Sequence, residues 1–205
     1  MNRQAGLTLL EMAVVLVIIG LVLGGILKGQ EIIVNAKIKN LENNYKGISI
    51  AIYSYQDRYR ALPGDDKEAT KRFPPTIPII NGDNNGKISG EFDDTSETPD
   101  NTKESRHLWA HLRLANLIKG VPGTTVLPLH PFYGVIGVAS PSRFTRGRMP
   151  MTLTRMFIGF TNIPNKIALI LESRHDDLNP HFGQIQTQEM SYANPQIQHK
   201  IYFAL

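Results

Sequence analysis

The chain has 205 residues, 22 of them basic and 18 acidic, a formal net charge of +4 and no cysteine. That length suits one globular domain with an appended segment rather than two full domains. The small, mixed charge gives no argument for nucleic acid. The absence of cysteine excludes a disulfide framework, so a secreted domain would rely on core packing or a metal.

Residues Ala5 to Leu27 read AGLTLLEMAVVLVIIGLVLGGIL, an apolar run of about the length that crosses a bilayer. Glu11 sits near one end of it. A carboxylate at that depth costs about 2.5–3.5 kcal/mol and marks a functional position by default. An ordinary signal peptide is cleaved after its apolar core, beside small residues. Here Gly6 lies before the core, and the segment Met1-Asn2-Arg3-Gln4-Ala5-Gly6 is too short to hold an apolar region of its own.

Gly6-Leu7-Thr8-Leu9-Leu10-Glu11 resembles the G-F-T-L-x-E signature of type IV pilins and type II secretion pseudopilins, with Leu7 where Phe is commonest. The resemblance implies a leader over residues 1–6, cleavage by a prepilin peptidase between Gly6 and Leu7, and N-methylation of Leu7. It also implies that Glu11 pairs with the Leu7 amine of a neighbouring subunit during assembly. The partners it implies are other pilin or pseudopilin subunits, the peptidase, an inner-membrane assembly platform and membrane lipid. Arg3 precedes the span while Lys28, Lys37 and Lys39 follow it, so charge bias does not set orientation. The resemblance places residues 61–205 outside the cytoplasm, in the periplasm before assembly and on a periplasmic or extracellular filament after.

Past the span the apolar pattern changes. Ile38, Leu41, Tyr45, Ile48, Ile52, Tyr55 and Tyr59 recur at alternating spacings of 3 and 4, a helical stripe. No proline interrupts the chain before Leu62. One helix is therefore expected from about Leu7 to Tyr59, about 80 Å long at 1.5 Å per residue. Residues 7–27 would form its membrane or filament-core part and residues 28–60 its amphipathic continuation. A two-stranded coiled coil is the competing reading of the stripe, and its tyrosines favour docking on a sheet. Gly20, Gly24 and Gly25 admit close helix packing in lipid, or a stretch that loosens on leaving the bilayer.

Pro63 and Gly64 end the helix. Residues 73–103 form a long Pro-, Gly-, Asn- and Asp-rich loop. A second amphipathic helix is expected over residues 104–118, closed by Gly120, with its apolar face at Leu108, Leu112, Ala115 and Ile118. Tyr133–Ala139, Met151–Phe160 and Lys166–Glu172 read as strands, the last alternatively as a short helix. The expected class is α+β and pilin-like: a long amino-terminal helix packed on a small antiparallel sheet of two to four strands. The exit Tyr55 to Asp65 resembles the Y-x-x-x-x-x-x-L-P-G-D pattern of pseudopilin-like proteins. Ile163-Pro164 to Ala168, followed by Asp176-Asp177-Leu178-Asn179-Pro180 and Gly183, resembles their I-P-x-x-x-A…D-D-G-x-P-x-x-G segment, with Leu178 in place of Gly.

The run from Asn81 to Glu91 has the spacing of a calcium loop. Asn81, Asp83 and Asn85 fall at positions 1, 3 and 5, Gly86 at 6, the Lys87 carbonyl at 7 and Ser89 at 9. Phe92 stands at position 12 where a bidentate Glu belongs, leaving Glu91 or Asp93 to substitute, and any calcium affinity would be weak. A solvated Asn-Gly turn is the plainer reading. Asp176 and Asp177 form a second metal candidate, or a helix cap or polar turn. His107 and His111 stand four apart without a third zinc ligand and read as core or surface histidines. No Walker, dinucleotide or G-x-S-x-G pattern appears, so no catalytic site is expected. Two alternatives to a filament subunit stand: an anchored binding domain that does not polymerise, and a DNA-uptake pilin using Arg143, Arg146, Arg148 and Arg155.

Overall fold

The computed structural model describes residues 8–77, 79–95, 103–141, 153–187, 192, 194 and 196–205. Its elements are α1 (Leu9–Tyr59), α2 (Ala69–Arg72), α3 (Glu104–Leu114), β1 (Ile136–Ala139), β2 (Phe157–Pro164), α4 (Asn165–His175), β3 (Ile185–Thr187) and β4 (Gln198–Ala204). The chain divides into two compact units, Met1–Lys39 and Asn40–Leu205.

The first unit is the apolar part of α1. Leu9, Leu16, Leu21 and Leu27 are each more than 60% exposed. An 18-residue window of α1 has a mean hydropathy of 2.7 and none of it is buried. Length and composition therefore suit this helix to crossing a membrane.

The second unit is an antiparallel four-stranded sheet in the order β1-β2-β4-β3, with helical segments around it. The α+β class expected from the sequence is the class observed. The stripe on α1 is buried at Leu41, Ile48, Ile52 and Tyr55, against the protein's own domain rather than in a coiled coil. Tyr45 reaches β4: its hydroxyl donates to the Ala204 carbonyl at 3.1 Å, and its ring lies 4.9 Å from that of Phe203. Further along, the Tyr55 hydroxyl donates to Asp66 Oδ2 at 2.9 Å, and Arg58 Nη1 donates to the Ala115 carbonyl at 3.1 Å.

Several boundaries differ from the sequence expectation. Helix α3 stops at Leu114 instead of residue 118, because Asn116 turns to a φ of 56°. Strand β1 begins at Ile136 rather than Tyr133, whose φ of 62° places it in a turn. The segment expected from Met151 to Phe160 is a strand only from Phe157 and runs on to Pro164, while Met151 lies outside the described residues. Lys166–Glu172 takes its helical alternative as part of α4, which starts directly after Pro164 at its N-cap. Helix α2 and strand β3 have too few residues to show a period, and the seven-residue strand β4, Gln198–Ala204, is an element that the sequence reading did not assign.

A stack on the sheet explains two glycines. Gly137 on β1 pairs with Gly159 on β2. Phe92, from the long loop, lies over this pair: a Cβ at residue 159 would sit 2.3 Å from its ring, and one at residue 137 would sit 1.7 Å from its carbonyl oxygen. Phe92 then packs edge-on against Phe157 and Tyr202, with ring centroids 5.9 and 5.4 Å away, in a buried cluster that includes Ala139 and Leu153.

The exit from α1 is locked by His111, a core histidine. Its Nδ1 accepts the Gly64 N–H at 3.0 Å, so the proton sits on Nε2, which donates to the Ile80 carbonyl at 3.1 Å. Burial pushes the imidazole down to about 4 from an ordinary 6.5. Between those two values the unfolded chain binds more protons than the folded one. The stabilisation from the neutral ring is therefore complete above pH 6.5 and lost as pH falls toward 4. A wild type compared with His111→Gln should lose about 3 kcal/mol more over that window, measured by chemical denaturation across pH. Parallel profiles would contradict the assignment.

Candidate functional site

Three constellations were singled out by sequence: the amino-terminal motif, the Asn81–Glu91 loop and the Asp176–Asp177 turn. Gly6 and Leu7 lie outside the described residues, and the geometry begins at Thr8. Thr8 N and Oγ1 both donate to Glu11 Oε2, at 2.8 and 2.9 Å, and the Glu11 N–H faces Thr8 Oγ1 at 3.3 Å. Thr8-Leu9-Leu10-Glu11 is thus a capping box, with a polar N-cap and a Glu three residues later binding each other's backbone. The signal was present in sequence as T-x-x-E ahead of an apolar run. Within one chain it gives the Glu11 carboxylate two donors, and it places the negative charge at the positive end of the helix dipole.

The six residues proposed as calcium ligands do not form one ring. The Asn81 amide turns to α2, with Oδ1 accepting the Thr70 N–H at 2.9 Å and Nδ2 donating to Thr70 Oγ1 at 3.1 Å. Asp83 Oδ2 accepts from Asn85 Nδ2 at 2.7 Å, and Asn85 Oδ1 accepts the Lys87 N–H at 2.8 Å. The Ser89 N–H and hydroxyl both donate to Glu104 Oε2 at 2.9 Å. Glu91 is exposed and contributes its carbonyl to Ser105 Oγ. Of the six, Asp83 joins a carboxylate cluster, and its companions are Asp65 and Glu104, with ligand oxygens within 4.8 Å of one another.

Asp65 and Glu104 are both buried and hold this loop by its backbone. Asp65 Oδ1 accepts the Asn85 N–H at 3.0 Å and Oδ2 the Gly86 N–H at 2.7 Å, while Glu104 Oε1 accepts the Asp83 N–H at 3.1 Å. Burial, with the Glu104 charge added, pushes the Asp65 carboxyl up to about 6, although the loop amides pull it down. Sequence spacing misses this grouping because its members come from the helix exit, the loop and α3.

Asp176 and Asp177 meet Glu172, again with oxygens within 4.8 Å of one another. Asp176 caps α4 and closes the following turn, since its Oδ2 accepts the Ile185 N–H at 2.6 Å. Gly183, with φ +89°, passes so close that a Cβ there would lie 2.1 Å from Asp176 Oδ1. Asp177 Oδ1 accepts the Asn179 N–H at 3.0 Å. Glu172 is wholly buried, and Oε1 accepts the Tyr192 hydroxyl at 2.5 Å. Burial, together with the Asp176 and Asp177 charges, raises Glu172 to about 7. Glu172 escaped the sequence reading because it ends an apolar run. Arg143, Arg146 and Arg148 lie outside the described residues, and Arg155 is exposed.

Residues 1–27 match the family model described as the prokaryotic N-terminal methylation motif, the hallmark of prepilin-type proteins of type IV pili and pseudopili. That motif belongs to structural, pilin-like proteins that are processed, pair with other pilins and are acted on by a prepilin peptidase. No curated protein and no solved structure matches the chain.

Leu178 takes the position where the related motif has Gly, and it adopts the left-handed conformation all the same, with φ 65°. A side chain there costs about 1–2 kcal/mol, and Leu178 is more than half exposed, so little packing offsets it. Leu178→Gly should stabilise the protein by about 0.5–1 kcal/mol after the added unfolded-chain entropy. A lower denaturation midpoint in the variant would show that the leucine side chain holds the turn.

Proposed function

We propose that this chain is a structural subunit, pilin or pseudopilin and major or minor, of a type IV pilus or a type II secretion pseudopilus. One observation carries the reading: the methylation-motif match over residues 1–27 coincides with the apolar, unburied part of α1. Such a helix is stable in lipid or among copies of itself and nowhere else in between. In this reading the subunit waits in the inner membrane with residues 61–205 in the periplasm. The peptidase cleaves the Gly6–Leu7 bond and methylates the Leu7 amine.

Assembly then moves the helix from lipid into a core of neighbouring helices. Both media are apolar, so the register must come from polar groups. The new Leu7 amine and the Glu11 carboxylate are the charges available there. Leaving either unpaired in a dry core is strongly destabilising, so a subunit docks where its Glu11 meets a neighbour's amine. The capping box keeps Glu11 supplied with donors until that partner arrives. The same box supports the second reading, an anchored domain that never polymerises, since Glu11 is then satisfied without a neighbour.

Glu11→Ala should leave processing intact and reduce filament yield at least tenfold, scored by immunoblot of sheared filaments beside mass spectrometry of the amino terminus. Normal filament yield would defeat the pairing mechanism. Gly6→Ala should block cleavage, and a mature Leu7 terminus in that variant would remove the processing step as drawn.

A further inference from the structure

The cluster at the end of α4 carries an inference independent of filament assembly. Glu172, Asp176 and Asp177 bring three carboxylates together at a helix C-terminus, where the helix dipole is already negative. Two basic residues lie between Glu172 and Asp176 in sequence. Arg174 and His175 turn to Glu42, at 3.6 and 3.1 Å.

A second observation stands apart from the clustering. Glu172 Oε2 is buried and has no hydrogen-bond partner. A carboxylate oxygen shut away from water without a donor is costly, and native structures rarely leave one unless an ion or water completes it. The other oxygen is fixed by the Tyr192 hydroxyl, so the side chain is held in place and is not free to turn toward solvent. Asp176 is likewise held by the Ile185 N–H. Burial decreases from Glu172 through Asp176 to the exposed Asp177, which leaves a way in from solvent.

The geometry points to a divalent-cation site formed by Glu172, Asp176 and Asp177, of the calcium class. The donors are hard oxygens with no nitrogen or sulfur among them, and they differ in burial. That suits an ion that accepts irregular, partly hydrated coordination. Binding would neutralise a buried carboxylate with one oxygen left without a donor and would tie α4 to the turn that leads into β3. The Asp65–Asp83–Glu104 group differs at its buried members: both oxygens of Asp65 and of Glu104 accept hydrogen bonds, whereas Glu172 Oε2 accepts none.

The test uses the full chain in detergent micelles, stripped with chelator, and follows its melting while calcium chloride is added. The wild type should gain several degrees in Tm at millimolar calcium and none from sodium chloride at equal ionic strength. Glu172→Gln keeps an acceptor for Tyr192 while removing the charge. It should melt no lower than the metal-free wild type and should lose most of the calcium shift. Asp177→Asn, on the exposed side, should weaken apparent calcium affinity at least tenfold. Asp83→Asn should retain the full shift. No calcium shift in the wild type, an equal shift with sodium, or a shift kept in both Glu172→Gln and Asp177→Asn would overturn the site. So would a shift abolished by Asp83→Asn.

Discussion

Asp65 and Glu104 both reach the backbone of one loop and hold it by its N–H groups. Asp65 follows the Pro63-Gly64 break that ends α1, and Glu104 opens α3. Between them they accept the amides of Asp83, Asn85, Gly86 and Ser89. A loop of that composition has few apolar groups of its own and would otherwise leave its backbone to water. Pinned this way, it delivers Ile88 and Phe92 into the interior, both almost fully buried. Phe92 then fills the shallow site that Gly137 and Gly159 open on the sheet. The domain core thus depends on two carboxylates whose own burial is unfavourable, with the loop amides supplying the compensation.

The two parts of the molecule meet water by opposite rules. From Leu9 to Leu27 the helix shows its apolar side chains outward, and its one charged residue is used at the helix start. From Leu41 onward the same helix buries one face and exposes the other. Its buried face carries tyrosines whose hydroxyls find named acceptors, Ala204 O for Tyr45 and Asp66 for Tyr55. A purely aliphatic stripe would bury as much area, but it would not fix which turn of the helix meets which strand. Polar tips on large rings supply that register.

The carboxylates of the second unit have distinct environments. Asp65 and Glu104 are satisfied by amides, Asp66 by Tyr55 and Arg72, and Asp176 by the turn it closes. Glu172 stands apart because one of its oxygens is buried without a donor. The same element of the fold also holds Leu178 in a conformation that favours glycine. A left-handed leucine and a donorless buried oxygen therefore fall within one short segment, between the end of α4 and β3.

Much of this protein was legible in its residues. The apolar run with Glu11 inside it, the 3-and-4 stripe ending at Tyr59, the break at Pro63-Gly64 and the helix beginning at Glu104 are all local patterns, set by periodicity and by residues with restricted backbone conformation. Local pattern also carried the methylation motif. The tertiary structure decided what depends on distance through space. It turned Asn81 away from the loop it seemed to lead, and put Asp65 and Glu104 beside Asp83. It also brought Glu172 together with Asp176 and Asp177, and built β3 from a segment too short to show a period. Hydrogen-bond partners many residues apart leave no spacing to read, because the chain fixes order along itself but only folding fixes which side chains share a volume.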